Sequence, residues 1–106
     1  MDVQHTLTWF TAHAAAGSLQ LCLPAANELL VCGGGALNGF LMECLQRVAP
    51  TAVVRSIDQV SAMDPMHVEA MAFAWFAQAH VQRRLGSLAA VTGARGPRIL
   101  GALYPA

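Results

Sequence analysis

The sequence contains no lysine and few charges of either sign. Six arginines balance six acidic residues, and charged residues make up 11% of the chain against about 25% in an average globular domain. The arginines form no basic run, so nucleic-acid binding is not expected. A phosphate loop of the G-x-x-x-x-G-K-[ST] type is excluded, because its lysine has no counterpart. With 56% hydrophobic residues, we expect part of the surface to meet another protein segment and the protein to form a homo-oligomer.

Targeting and metal-binding signals are also missing. The amino terminus lacks the basic and then apolar pattern of a secretory signal. The apolar runs are interrupted before they reach membrane-spanning length. The three cysteines form no C-x-x-C pair, which is typical of reduced cysteines, and the four histidines are too dispersed for a metal pair. We expect a cytoplasmic protein with no membrane contact and no metal site of its own.

The spacing of apolar residues predicts one α/β domain with the order helix, strand, helix, strand, helix. The first helix ends at Gly17 and buries one apolar stripe, and the first strand is buried on both faces. The stripe of the first helix consists of Val3, Leu7, Phe10 and Ala14, and the core face of the second consists of Leu41, Leu45 and Val48. The third helix begins at Asp64 and Pro65 and is apolar almost all round, which predicts that it is sandwiched between other elements. The predicted elements are a helix at 2–16, a strand at 28–32, a helix from Asn38 to Pro50, a strand at 52–56, a helix from 64 to about 85, and a loop segment with one short strand at 98–100.

The stretch LLVCGGGALN places three consecutive glycines, Gly33, Gly34 and Gly35, between a strand and a helix capped by Asn38. Glycines there indicate either an ordinary turn or a ligand that approaches the backbone closely, and a helix N-terminus suits a phosphate. The dinucleotide fingerprint G-x-G-x-x-G fits in part, because Gly33 and Gly35 match while Asn38 takes the third position. Asp58 follows the second strand about where a ribose-binding acid sits, so a nicotinamide-binding fragment is a rival interpretation.

Glu69 is the other candidate site residue. It lies in the first turns of the third helix, and its neighbours at helical spacing include Phe73 and Phe76. A carboxylate on an apolar side is costly unless it is paired or faces a polar cavity. Two interpretations stay open: a salt bridge to an arginine or simple exposure at the helix start, and a role in a binding cleft.

Three segments in order carry a resemblance to a known family. LLVCGGGALNGFLMECLQ, DPMHVEAMAFAWFA and AVTGARGPRILGALYPA resemble the carboxy-terminal third of the anhydro-N-acetylmuramic acid kinases, and DVQHTLTWFTAHAAAGSL is similar to the helix that precedes them. The family belongs to the superfamily of sugar kinases, actin and heat-shock chaperone ATPases, whose domains have an RNase-H-like core. The resemblance implies that the chain is the carboxy-terminal part of such an actin-like ATPase domain, with no separate subdomains.

The resemblance also implies an activity and site residues. The family uses ATP, Mg²⁺ and water to open the anhydro ring of anhydro-N-acetylmuramic acid and phosphorylate its 6-hydroxyl, a step in recycling bacterial cell wall. It assigns Gly33, Gly34, Gly35 and Asn38 to the nucleotide and Glu69 to the sugar.

The chain departs from the family pattern in three places. Gly39 replaces a usual proline, and Gly86, Ser87, Leu88, Ala89 and Ala90 replace a P-G-N-L-P segment. The amino-terminal phosphate motif and the catalytic aspartate have no counterpart, so no catalytic residue is expected here and the missing amino-terminal lobe is an expected partner. A non-catalytic interaction domain is a further alternative.

Overall fold

The computed structural model describes residues 2–105 and confirms both the α/β class and the predicted order of the main elements. These are α1 (Val3–Cys22), β1 (Glu28–Val31), α2 (Gly39–Val48), β2 (Val53–Ser56), α3 (Val68–Val81) and α4 (Ala89–Thr92), with 3₁₀ turns at Gly33–Leu37, Ile57–Gln59 and Pro65–His67. The short helix α4 was not predicted. The short strand predicted at 98–100 is absent from the described residues. No helix among residues 2–105 is long and apolar enough to cross a membrane.

The chain divides into two compact units, residues 2–68 and residues 69–105, and each is described by itself. The first unit contains the sheet. Strands β1 and β2 are parallel, with Glu28 opposite Val53 and Val31 opposite Ser56. Helix α2 connects them, as parallel strands require a crossover connection. Because the strands are parallel, both end at the same edge of the sheet.

The core of the first unit lies between α1, α2 and one face of the sheet. Its buried residues are Ala12, Cys44 and Leu45, and partly buried apolar side chains from both helices and both strands pack against them. The predicted inner face of α2 is confirmed, because Leu41, Leu45 and Val48 all belong to this cluster. An amphipathic helix that buries its apolar stripe is the expected outcome of this pattern.

The predicted buried stripe of α1 is wrong. Val3, Leu7 and Phe10 are exposed, Phe10 to 70%, and Ala14 is exposed as well. The buried position is Ala12, with Trp9 packed against the core. Helix α1 is apolar on more than one side, and the small side chain of Ala12 lets another element approach the backbone closely, so packing decides which side faces inward.

Helix α1 also continues past Gly17, its predicted end. It ends at Cys22, where the N–H of Leu23 donates to the carbonyl of Leu19. A glycine inside a helix costs only about 1 kcal/mol relative to alanine. The leucines and glutamine that follow Gly17 favour helix, so the helix extends through it.

The first strand was predicted to be buried on both faces, and this prediction is wrong. Leu29 and Val31 point toward the core, whereas Leu30 on the other face is 41% exposed and Val53 beside it on β2 is 49% exposed. On this outer face Arg55 and Glu28 form an ion pair at 3.5 Å. This outer face is exposed because α1 and α2 both pack against the opposite face of the sheet.

Helix α3 makes up much of the second unit, and its predicted burial is wrong for the described residues. Phe73 is 64% exposed and Trp75 is 44% exposed, while Ala79 is the one buried residue of the helix. The helix ends at Val81 rather than near residue 85. Arg83 adopts a left-handed conformation with φ 57°, and the N–H of Arg84 donates to the carbonyl of Ala79, which terminates the helix.

Candidate functional site

The three glycines lie at the edge of the sheet where the strands end. Strand β1 ends at Val31, and a 3₁₀ turn at Gly33–Leu37 follows at once. We call residues 33–37 the glycine turn. Among the described residues, no side-chain cap satisfies its first backbone N–H groups, because the preceding residue, Cys32, makes no capping hydrogen bond. The glycine turn contacts the 3₁₀ turn at Pro65–His67, which also belongs to the first unit.

One of the three glycines has a backbone reason to be glycine, and another faces the packed interior. Gly33 has φ +69°, a left-handed conformation in which any side chain is strained. At Gly35 an added Cβ would lie 3.4 Å from Cδ2 of Leu41 and 3.8 Å from Cγ1 of Val31, so this position faces the packed interior.

Gly34 differs from both neighbours. Its φ is not in the left-handed region, and a Cβ added there would meet no atom of the described residues within 4 Å. Folding of the first unit therefore gives no reason for glycine at this position. A side chain at residue 34 would project into open space beside the turn.

Asn38 follows the glycine turn and caps α2, as predicted. Its side-chain oxygen Oδ1 accepts a hydrogen bond from the N–H of Leu41 at 3.1 Å. Within residues 2–105 its amide nitrogen Nδ2 has no hydrogen-bond partner. Asn38 thus has a structural role through its oxygen and keeps two donors available at the same place.

One cavity, of about 460 Å³, adjoins the glycine turn at Leu37. Its polar lining includes Asp58, Ser61 and Asp64. Asp64 caps the following 3₁₀ turn by accepting from the N–H of Met66 at 2.8 Å, and Ser61 donates to the carbonyl of Ile57 at 3.0 Å. The sequence indicated Asp58 as the ribose-binding acid of the rival interpretation and Asp64 as the start of a helix. Ser61 lies in no motif, and no role was predicted for it.

A second cavity, of about 370 Å³, includes Asn38 in its lining. It is lined by Asp2, Gln4, His5, Thr8, Asn38 and Phe40. The rings of His5 and Phe40 are 4.9 Å apart. A site role of His5 or Thr8 was not predicted, because neither residue belongs to a recognisable motif spacing. Only the packing of α1 beside the start of α2 brings them to Asn38.

Glu69 lies in the first turn of α3, in the second unit, and is exposed. The predicted alternative of a salt bridge is not found within residues 2–105, where the ion pair described joins Arg55 and Glu28. The alternative of simple exposure at the start of the helix agrees with the position of Glu69. The role of Glu69 in binding a sugar stays a prediction.

The described residues contain no ready metal site. No group of three or more histidine, cysteine, aspartate or glutamate residues within 2–105 is placed to hold a metal ion. Mg²⁺ in phosphoryl-transfer enzymes is held mainly by substrate phosphates, waters and one or two carboxylates. The residues present therefore do not form a magnesium site by themselves, and no chemical step is assigned to the ion here.

Comparison with known proteins identifies relatives along the whole chain. The family model described as anhydro-N-acetylmuramic acid kinase matches residues 1–106. A protein named anhydro-N-acetylmuramic acid kinase from Variovorax paradoxus is 48% identical to this chain, and one of the same name from Bordetella petrii is 50% identical, each over 99% of this chain. The kinase of that name from Pseudomonas paraeruginosa is 47% identical over 99% of the chain. The chain spans only 27% to 28% of the length of these relatives.

Proposed function

The chain belongs to the anhydro-N-acetylmuramic acid kinase family, and from this premise we propose that it is the carboxy-terminal part of an ATP-dependent sugar kinase. The complete enzyme opens the 1,6-anhydro ring of anhydro-N-acetylmuramic acid with water and phosphorylates the 6-hydroxyl, in the cytoplasm, during cell-wall recycling. In this proposal the two compact units belong to one lobe of an actin-like ATPase fold. The complete kinase is proposed to be a homo-oligomer.

Gly34 is the observation that supports nucleotide binding most directly. Gly33 is explained by its left-handed backbone and Gly35 faces Leu41 in the packed interior, but no atom of the described residues lies within 4 Å of a Cβ added at Gly34. A ligand that approaches the backbone closely gives that reason. We assign Gly34 to the closest approach of ATP, with Gly33 and Gly35 holding the turn in shape.

The surroundings of Gly34 fit an anionic ligand. Successive backbone N–H groups in a tight turn form a concavity that attracts phosphate oxygens, and the first N–H groups of the glycine turn have no side-chain cap. Asn38 adds the two N–H donors of Nδ2, since its oxygen is already engaged by Leu41. These donors are proposed to bind the nucleotide while the same residue holds the start of α2.

Glu69 is proposed to bind the sugar. It is exposed in the first turn of α3, where the helix dipole favours a carboxylate, and no ion pair within residues 2–105 occupies it. As a carboxylate it accepts a hydrogen bond from a sugar hydroxyl or from the attacking water. Such charge-assisted hydrogen bonds are about twice as strong as neutral ones, which suits the recognition of a polar substrate.

The 106 residues do not contain the whole catalytic apparatus. Phosphoryl transfer requires positioned phosphates, a metal ion and a group that orients the nucleophile. The family's phosphate motif and catalytic aspartate have no counterpart in this sequence. We therefore propose that they, and the groups that hold Mg²⁺, lie in the missing amino-terminal lobe. The isolated chain is proposed to be inactive.

The test uses a full-length kinase of the family in which this chain replaces the matching segment, here called the hybrid kinase. Gly34→Val should weaken ATP binding at least about tenfold, because a branched side chain would occupy the space that ATP approaches. The thermal unfolding temperature should hardly change, because a Cβ added at this position meets no atom of the described residues within 4 Å. Calorimetric titration with ATP and a thermal scan measure the two quantities.

Gly17→Val is the matched control. Gly17 also has nothing within 4 Å of an added Cβ but lies within α1, away from the glycine turn, so this variant should bind ATP normally. Titration of the hybrid kinase with NAD should show no binding, and clear NAD binding would favour a nicotinamide-binding fragment instead. Unaltered ATP affinity in Gly34→Val would refute the nucleotide assignment.

A further inference from the structure

Helix α1 carries an apolar stripe on the side that faces away from the core. Its inner side is marked by Trp9 and Ala12, which pack in the core. Each residue advances about 100° around a helix, so residues at intervals of three and four share one side. Such a series runs along the side opposite to Trp9 and Ala12. We call it the outer stripe, and its six exposed members are Val3, Leu7, Phe10, Ala14, Gly17 and Leu21.

The outer side of α1 lacks the charges of a helix that faces water. Residues 3–22 contain no aspartate, glutamate, lysine or arginine, whereas the solvent side of a surface helix normally carries charged and polar residues. The outer stripe also keeps the alternating spacing of four and three residues along the whole helix. That spacing is the pattern by which one helix packs along another. The outer stripe therefore predicts a second helix as its partner.

Gly17 in the outer stripe has no explanation within the first unit. A glycine inside a helix costs about 1 kcal/mol relative to alanine. Its φ is not in the left-handed region, and an added Cβ would meet no atom of the described residues within 4 Å. Gly17 and Ala14 leave a shallow hollow in the outer stripe, next to the projecting side chains of Phe10 and Leu7. A hollow of this kind lets large side chains of a facing helix approach the backbone closely.

The outer stripe is complementary to itself when two copies of α1 run antiparallel. If a two-fold axis passes beside position 12, each residue faces the one that lies equally far on the other side of that position. The facing pairs are Val3 with Leu21, Leu7 with Gly17, and Phe10 with Ala14. A parallel pair would instead place Phe10 against Phe10 and Gly17 against Gly17, which crowds one layer and empties another. A self-complementary patch is what a two-fold interface between identical chains requires.

We propose that the outer stripe binds the outer stripe of a second copy of this chain, with the two α1 helices antiparallel and with Gly17 and Ala14 receiving Leu7 and Phe10 of the second copy. Helix α1 has 20 residues and is therefore about 30 Å long. Pairing along this length gives an interface at the small end of the specific range, roughly 1,000 Å² in total, so a micromolar Kd is expected. The pairing follows from α1 alone and does not rest on the proposed kinase activity.

Sedimentation velocity over a series of concentrations tests the surface. In the isolated chain, Phe10→Glu should raise the Kd of the dimer at least about tenfold, because it places a carboxylate from each copy near the centre of the outer stripe. Phe73→Glu is the matched control, since it changes a comparably exposed phenylalanine on α3 and should leave this dimer intact. An isolated chain that stays monomeric up to about 200 μM, far above the expected Kd, would refute the proposal. Association lost in Phe73→Glu but kept in Phe10→Glu would also refute it.

Exchanging a large and a small residue tests the antiparallel register. Gly17→Leu should weaken the dimer at least about tenfold, because the new leucine meets Leu7 of the second copy and forces the helices apart. Leu7→Ala should weaken it by leaving a gap in the same layer. The double variant Leu7→Ala/Gly17→Leu restores the combined size of the layer, so it should regain most of the affinity. Losses that simply add in the double variant would refute the register, because residues in contact are expected to be coupled.

The hybrid kinase tests whether the pairing is kept in a full-length enzyme. It should sediment as a dimer that Phe10→Glu dissociates. A monomeric hybrid, or a dimer that resists Phe10→Glu, would show that the outer stripe is covered in another way and would refute the proposal. Kinase activity is measured in parallel. An active hybrid whose dimer does not depend on Phe10 rejects this inference alone, and an inactive hybrid whose dimer depends on Phe10 rejects only the proposed function.

Discussion

The first and second compact units are both rich in apolar residues, but only the first has a core built from several elements. In residues 2–68, two helices and a sheet bury Ala12, Cys44 and Leu45. In residues 69–105, α3 is almost wholly apolar, yet Ala79 is its one buried residue and Phe73 and Trp75 remain exposed.

The difference shows that hydrophobic content alone does not produce burial. Helix α2 carries Glu43, Gln46 and Arg47 on one side and apolar residues on the other, so its pattern sets which side faces the core. Helix α3 has no polar side of this kind, so its pattern sets no direction. Large exposed apolar side chains in one region mark a surface that meets another protein segment, which supports the proposal that the second unit is completed by the rest of a kinase.

The largest expected effect is a difference between the two units in the free energy of unfolding lost on mutation. Leu45→Ala should lower the free energy of unfolding of the first unit by about 2 to 5 kcal/mol, because it leaves a cavity in a packed core. Phe73→Ala should change stability by no more than about 0.5 kcal/mol, because the ring is largely exposed. Each unit has its own tryptophan, Trp9 and Trp75, so urea unfolding of the isolated chain is followed separately in Trp75→Phe and Trp9→Phe backgrounds.

Similar losses for Leu45→Ala and Phe73→Ala would break the contrast between the two units. That result would mean that Phe73 is buried in solution, for example by self-association of the isolated chain. Repeating the measurement at several protein concentrations distinguishes these cases, since the stability of an associating species depends on concentration.

The next effect separates the two units by function. In the hybrid kinase, Glu69→Gln should reduce turnover of the sugar at least about tenfold, equivalent to roughly 1.5 to 3 kcal/mol for a lost charge-assisted hydrogen bond, with ATP affinity nearly unchanged. Gly34→Val, by contrast, should act on ATP affinity. Steady-state kinetics with each substrate varied in turn measure both, and Glu43→Gln, which alters an exposed carboxylate on α2, is the control. Full activity in Glu69→Gln would remove the sugar-binding assignment.

The smallest effect divides the two roles of Asn38. Asn38→Ala should cost about 0.5 to 2 kcal/mol of stability because the cap on Leu41 is lost. Asn38→Asp keeps a capping oxygen but has no N–H donors, so stability should be retained while ATP binding weakens in the hybrid kinase. Urea unfolding measures the stability of both variants, and titration of the hybrid kinase with ATP measures the ATP affinity of both. If Asn38→Asp binds ATP as the parent does, Asn38 is a helix cap and no more.

Local patterns predicted much of the fold and two of its caps. The order of elements, the inner face of α2 and the caps at Asn38 and Asp64 follow from short-range rules, and the structure confirms them. The membership of Ser61, His5 and Thr8 in cavities was not predicted, because these residues are brought to the site by elements distant in the chain.

The sequence by itself determined the order of the main elements, the family and the positions of the three glycines, because capping, periodicity and motif order depend on near neighbours. Only the tertiary structure decided that α1 buries Ala12 rather than Phe10, that Gly34 faces open space while Gly35 faces the interior, and that Gln46 bonds to the backbone of β2. Each of these depends on which surfaces meet when several elements pack together. When a helix is apolar on several sides, its sequence does not determine which side is buried, and close packing against the other elements does.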